Sequence, residues 1–186
     1  MHRRIMIALA AIAALGMGAA GLVPAAGAAP KKKITIKGGP FYKPGVSIGD
    51  NVRFNRNTTV KSGGTVKIAN KSGEQVGPHT ISLLKKSALP RTLGQAEECF
   101  EFKGVCAPLV TAHQVDTTNP EAPPGVLLYN AGDEGFDTMG DRQTAGDSLF
   151  LAPGQGGSIK VTADEGSRLT FFCAVHPWMQ GKLTVK

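Results

Sequence analysis

Short period-two segments, separated by glycine- and proline-bearing turns, run through both ends of this chain from residue 33 onward. They restrict it more than any other feature. Ile34 and Ile36 alternate with Lys33, Thr35 and Lys37, and Val52 and Phe54 are flanked by Arg53 and Asn55. Val66 and Ile68 alternate with Thr65 and Lys67 after a Ser62-Gly63-Gly64 turn. His79, Ile81 and Leu83 share one parity, with Thr80 and Ser82 on the other. Toward the C-terminus come Ile159 and Val161, then Leu169, Phe171 and Cys173, then Leu183 and Val185. Pro153-Gly154, Asp164-Glu165-Gly166 and Gly181 are read as the turns between them. Alternation at this spacing buries one face of a strand, so the chain is read as an all-β, antiparallel sandwich. The 24 glycines and 12 prolines among 186 residues argue against a helical bundle. Composition excludes collagen, a coiled coil and a wholly disordered chain as well, and a multi-span membrane protein is excluded because only one long apolar run exists. The length suits one domain, or one domain with a large insertion.

That apolar run is N-terminal. Arg3 and Arg4 precede a stretch from Ile5 to Leu22, and Ala26-Gly27-Ala28 gives the small-x-small pattern of a cleavage site. Residues 1–28 are therefore expected to be a signal peptide, with a transmembrane anchor as the alternative; the Gly/Ala content and Pro24 weigh against the anchor. No cysteine lies nearby to take a lipid. The expected protein is exported, periplasmic or extracellular, with no stable membrane insertion after cleavage. The formal net charge of +7 owes two units to the leader's arginines and much of the rest to Lys31-Lys32-Lys33. No aromatic residues interleave with the basic ones, so nucleic acid is not an expected partner. The charge is read as tuning solubility or steering an acidic partner.

Residues from about 84 to 148 break the strand pattern. Thr92 to Phe100 and Ala107 to Val115 read as short helices, followed by the proline-rich stretch Asn119 to Gly125 and a Gly/Asp-rich run. Some 65 residues between strands is too long for an ordinary connection, which makes this an insertion with structure of its own or a functional flap. His113 and Met139 within it are read as structural or surface residues.

The chemistry concentrates in Cys173-Ala174-Val175-His176-Pro177-Trp178-Met179. A thiolate, an imidazole and a thioether recur at three-residue spacing. Strand parity turns Cys173 inward with Leu169 and Phe171, and turns His79 inward with Ile81 and Leu83. Alone, Cys173 reads as a buried thiol and His79 as a surface histidine. Together, a soft thiolate, two imidazoles and a weak axial thioether are the ligand set of a blue copper centre. Pro177 lacks an amide hydrogen and restricts His176 before it, which disfavours a helix through the loop.

These segments resemble the cupredoxins, in particular small electron carriers such as amicyanin and plastocyanin. Val60 to Asn70 is similar to the strand before the first ligand, Pro78-His79-Thr80-Ile81 to the first-ligand motif, and Phe172 to Gly181 to amicyanin's short ligand loop. The likeness covers residues 60–83 and 149–186 well, 33–56 weakly, and the insertion not at all. It implies a Greek-key, cupredoxin-like sandwich over residues 31–186 holding one mononuclear type 1 copper. In that reading His79 and His176 bind through imidazole nitrogen, Cys173 gives the short thiolate bond and Met179 the long axial contact. Pro78, Thr80, Pro177 and Trp178 surround the site. Thr80 stands where the family often has an asparagine bracing the ligand loop, and Pro177 cannot donate toward the thiolate, which favours a lower potential. Trp178 is read as packing over the loop or as part of an apolar docking patch beside His176.

The implied function is one-electron transfer between a donor and an acceptor redox protein, by a monomer that is not an enzyme. A nitrite reductase or multicopper oxidase needs further histidines, and only His113 remains outside the leader and the site. Copper storage or delivery, and a metal-free secreted partner-binding module, are the alternatives. Cys99 and Cys106 are expected to pair as a disulfide in an oxidising compartment, with a metal site as the other reading, leaving Cys173 as the odd thiol.

Overall fold

Parity along the last strands sets the architecture. Leu169, Phe171 and Cys173 all lie in the main apolar core, whereas Phe172 between them is buried in a second, smaller cluster. The computed structural model describes residues 32–43, 47–55, 57–120, 122–132 and 134–186, so the expected leader lies outside the described residues. No helix among the described residues is long and apolar enough to cross a membrane.

Among the described residues, twelve strands and two α-helices follow in order: β1 Lys32–Lys37, β2 Pro40–Lys43, β3 Ser47–Asp50, β4 Arg53–Phe54, β5 Thr58–Val60, β6 Thr65–Asn70, β7 His79–Leu83, α1 Leu93–Phe100, α2 Ala107–Ala112, β8 Leu128–Tyr129, β9 Ser148–Leu151, β10 Gly156–Lys160, β11 Arg168–Phe172 and β12 Gln180–Val185. One sheet runs β10-β6-β1-β4, the other β5-β12-β11-β7-β9-β8, and β2 pairs with β3 as a separate hairpin. The core between the sheets takes the residues that the alternation assigns to it, among them Ile34, Ile36, Val66, Ile68 and Leu183. Phe54 and Phe171 meet edge to face at 5.0 Å across it, a favourable aromatic geometry.

Two details differ from the expectation. The sheets are mixed rather than purely antiparallel, because β1 pairs parallel with β6 and β5 parallel with β12. Parallel neighbours need a crossover between them, and here intervening strands supply it. Gly181 is not a turn residue; it lies inside β12 opposite Phe171. A β-carbon there would collide with the Phe171 ring, so the glycine makes room for the largest core side chain beside it.

The segment between β7 and β9 covers the outer face of the six-stranded sheet. Thr92 caps α1 by accepting from the Gln95 amide at 3.3 Å. Cys99 and Cys106 form a disulfide with Cα atoms 5.1 Å apart. The bridge closes a short loop between α1 and the turn leading into α2, worth roughly 2–3 kcal/mol on the chain-entropy argument. With Leu84, Val105 and Leu109 it builds the second apolar cluster around Phe172. β8 adds an edge strand beside β9. As a result β7 is buried along its whole length.

The Gly181–Phe171 fit gives a first prediction. Gly181→Ala should lower stability by about 1–3 kcal/mol through overpacking, read as a lower urea midpoint with an unchanged slope.

Candidate metal centre

Three strand ends converge at one end of the sandwich. His79 opens β7, Cys173 directly follows β11, and Met179 directly precedes β12. The connecting loop closes on itself: the Cys173 amide donates to the Met179 carbonyl at 3.0 Å and the Met179 amide to the His176 carbonyl at 2.8 Å. Pro177, buried in this turn, needs no hydrogen-bond acceptor for its nitrogen. The Gln180 side chain donates to the carbonyls of Pro177 at 3.1 Å and Pro90 at 2.7 Å, tying the loop to the covering segment.

His79, Cys173 and His176 present three candidate ligand atoms within 4.8 Å of one another. Nδ1 of His79 is 3.6 Å and Nδ1 of His176 3.8 Å from the Cys173 sulfur. His79 and Cys173 are fully buried and His176 is 7% exposed, so only one edge of the trio approaches solvent. Met179 is buried in the same core, beside the ligand loop.

The hydrogen-bond network fixes which nitrogen of His79 is available. Nε2 lies 3.0 Å from the Ser72 hydroxyl. That hydroxyl donates to Asn70 Oδ1 at 2.6 Å, and the Ser72 amide donates to the same oxygen at 3.1 Å. Asn70 Nδ2 in turn donates to the carbonyls of Leu151 and Ala152, at 3.3 and 3.1 Å. Carbonyls can only accept, so the Asn70 amide has one orientation and the single Ser72 hydrogen is committed to it. The Ser72 oxygen must then accept from His79 Nε2–H. Nδ1 keeps a free lone pair, aimed at the sulfur and the second imidazole, as a metal ligand requires. The donor set thus fits a soft, thiophilic metal ion.

Around the sulfur, the Thr80 amide donates to Sγ at 3.2 Å, and the Thr80 hydroxyl accepts from the Ala174 amide at 2.8 Å. The threonine therefore makes the brace to the ligand loop that an asparagine is expected to make. Burial pushes the Cys173 thiol up, opposed by the amides of Thr80, His176 and Val175. Burial, then the neighbouring His176, lowers His79 to about 3. The metal-free protein therefore holds a neutral His79 and a protonated thiol, and binding a metal as thiolate releases a proton.

This arrangement of strands has counterparts among known structures. The solved structures it resembles include cupredoxins. A purple cupredoxin from Nitrosopumilus maritimus shares 14% identity over 84% of this chain and 100% of its own, with a TM-score of 0.41. An auracyanin from Roseiflexus castenholzii shares 20% over 86% of this chain and 99% of its own, with a TM-score of 0.42. Auracyanin A, a "blue" copper protein from Chloroflexus aurantiacus, shares 17% over 83% and 99%, with a TM-score of 0.39. No family model and no curated protein matches the chain. The site is therefore read from its own geometry.

Of the residues singled out in the sequence, His79, Cys173 and His176 come together, with Met179 and Thr80 beside them. Pro78 directly precedes His79 and lines a cavity together with Thr80. Trp178 is half exposed, stands edge-on to His176 at 5.2 Å, and meets the exposed Phe100 of α1 at 6.3 Å. Met139 packs partly buried against the main core, and His113 is buried with both ring nitrogens engaged. The sequence reading missed Asn70 and Ser72. Their signal was available: they continue the inward parity of Val66 and Ile68, and polar residues at inward positions need partners.

The lowered His79 sets a pH dependence for the metal-free protein. Between about 3 and the ordinary histidine range, the unfolded chain binds a proton at residue 79 that the folded chain does not. Stability should be fully present above that range and decline as pH falls through it. Urea midpoints of metal-free protein measured across this window test the sign; a flat or rising profile on acidification would contradict it.

Proposed function

We propose that this chain is an exported type 1 copper protein that carries single electrons between a donor and an acceptor redox protein. The observation that carries this reading is the buried trio, with His79 locked as the Nε2–H tautomer by Ser72 and with the Cys173 sulfur already bonded to the Thr80 amide. His79 and His176 would hold the ion through Nδ1, Cys173 through its thiolate and Met179 through its thioether sulfur. Copper supplies a Cu(II)/Cu(I) couple. What the chain supplies is a site whose donors are placed before the metal arrives, so little has to reorganise when the charge changes.

His176 is the ligand nearest solvent, and its ring edge is the natural electron port. Trp178 and Phe100 form an exposed apolar rim beside it. This supports the docking role of Trp178 over simple packing. It also gives the covering segment a task, because Phe100 ends α1 next to the disulfide at Cys99. A redox partner would meet this rim. The signal peptide over 1–28 and the periplasmic or extracellular location belong to the same reading, which the disulfide favours.

Addition of Cu(II) should produce an intense visible thiolate-to-copper charge-transfer band that Cys173→Ser abolishes. Folded wild-type protein lacking the band would sink the copper reading. Reversible voltammetry with copper retained against a chelator supports a carrier; loss of copper on reduction points to storage or delivery.

The rim is testable without a known partner. Phe100→Lys places a like charge where two copies would meet, and should slow electron self-exchange about tenfold at low salt, by NMR line broadening. The absorption band should stay unchanged.

A further inference from the structure

The covering segment does not close completely onto the sheet beside the metal centre. A cavity of about 470 Å³ remains between them, within the roughly 300–1,000 Å³ of small-molecule sites. Its deep wall is made by Thr80, Cys106, Leu109 and His113, all buried. Phe100, Pro120 and Pro123 also line it and are exposed, which marks its mouth. One side belongs to the ligand loop, because Ala174 and Val175, the two residues between Cys173 and His176, both line it.

The side chains of this wall offer a guest very little polar chemistry. Among the described residues, no lysine, arginine, aspartate or glutamate lines the cavity. Its two polar side chains are His113 and Thr80. Both nitrogens of His113 are engaged, Nδ1 at 2.6 Å from the Val126 carbonyl and Nε2 at 2.7 Å from the Ser148 hydroxyl. Thr80 Oγ1 accepts twice, from the Ser82 hydroxyl at 2.9 Å and from the Ala174 amide at 2.8 Å. A hydroxyl has two acceptor lone pairs and one hydrogen, so that hydrogen is all Thr80 has left to give. Ala174, at the other end of its bond, lines the cavity too, which places this hydroxyl at the wall. The remainder is flat apolar surface. Phe100, Phe102 and Phe150 contribute rings, the last of them 6.2 Å from the His113 ring, and prolines stand among them.

We propose that this cavity binds a neutral, flat aromatic compound carrying one hydrogen-bond-accepting oxygen, its ring against the phenylalanine and proline faces and its oxygen on the Thr80 hydroxyl. Each element of that description answers a property of the wall. A charged guest would leave water without an opposite charge to meet. A second polar group, buried beside these side chains, would lose its hydrogen bonds to water and gain none. A rigid ring loses less freedom on entering than a flexible chain of equal area, and it stacks favourably on aromatic faces. Binding makes and breaks no covalent bond. The exposed rim of Trp178 and Phe100 suits a protein surface, whereas a recess with a buried donor suits a small molecule. A guest here would touch Ala174 and Val175, so the cavity and the metal centre share a wall. The site itself needs no metal and stands apart from the copper reading.

The test titrates the metal-free protein with 1-acetonaphthone, naphthalene and 1-naphthoate, followed by ¹H–¹⁵N NMR. The ketone should bind saturably, one per chain, and move the amide resonances of Val110, Ala174 and Val175. Its carbonyl carbon should resonate downfield of its position in a hydrocarbon solvent, as a hydrogen-bonded carbonyl does. The naphthoate should not bind. Val110→Phe, which fills the cavity from α2, should abolish binding. Thr80→Val should weaken the ketone about fivefold and leave naphthalene unchanged, and Thr80→Ser should retain the full affinity. The proposal is overturned if the ketone gives no saturable shift up to its solubility, or binds Val110→Phe undiminished. Binding of the naphthoate as tightly as the ketone contradicts the neutral guest. A bound carbonyl with no downfield shift contradicts the Thr80 contact, and that reading holds even if Thr80→Val fails to fold.

Discussion

A strand buried on both faces has no solvent to satisfy its side chains, and β7 is such a strand. Its inward residues, His79, Ile81 and Leu83, enter the sandwich core, while Thr80 and Ser82 face the segment that covers the sheet. Every polar group on it must find a partner inside the protein or cost stability. That requirement turns β7 into the organiser of the site. His79 bonds to Ser72, the Thr80 amide to the Cys173 sulfur, the Thr80 hydroxyl to the Ala174 amide, and Ser82 to Ser148. Remove the cover and these bonds would compete with water; keep it and they have fixed geometry.

The same burial sets the electrostatics. Charged forms are disfavoured in the interior, so the imidazole of His79 stays neutral and the thiol of Cys173 stays protonated until something better than water offers itself. A cation does so for both groups at once. The site is therefore destabilised by acid on its own account and stabilised by metal, and the two effects act on the same residues in opposite directions.

Most of this was visible in the order of residues. Parity alone turned Cys173 and His79 into the sandwich, and the three-residue spacings in the ligand loop brought His176 and Met179 back toward them. The two helices of the covering segment and its disulfide also follow the pattern. Gly181 was misread because a glycine after a loop looks like punctuation, whereas its purpose here is the volume of Phe171 on the neighbouring strand. The parallel pairs β1–β6 and β5–β12 are set by long-range topology that local alternation does not encode. The contacts of His113 were hidden for a related reason. His113, Ser148 and Ser82 are far apart in sequence, and a lone histidine in an irregular segment gives no sign of what it meets.

Asn70 belongs to β6 in one sheet, and its amide donates to carbonyls at the end of β9 in the other. The side chain that fixes the His79 tautomer is thus a rivet between the two layers. Any motion that slides or parts the layers near this end, well short of unfolding, lets the Asn70 amide turn and frees the Ser72 hydrogen. The imidazole then loses its reason to keep its proton on the far side. Grip on the metal becomes a gauge of how tightly the two layers are clasped.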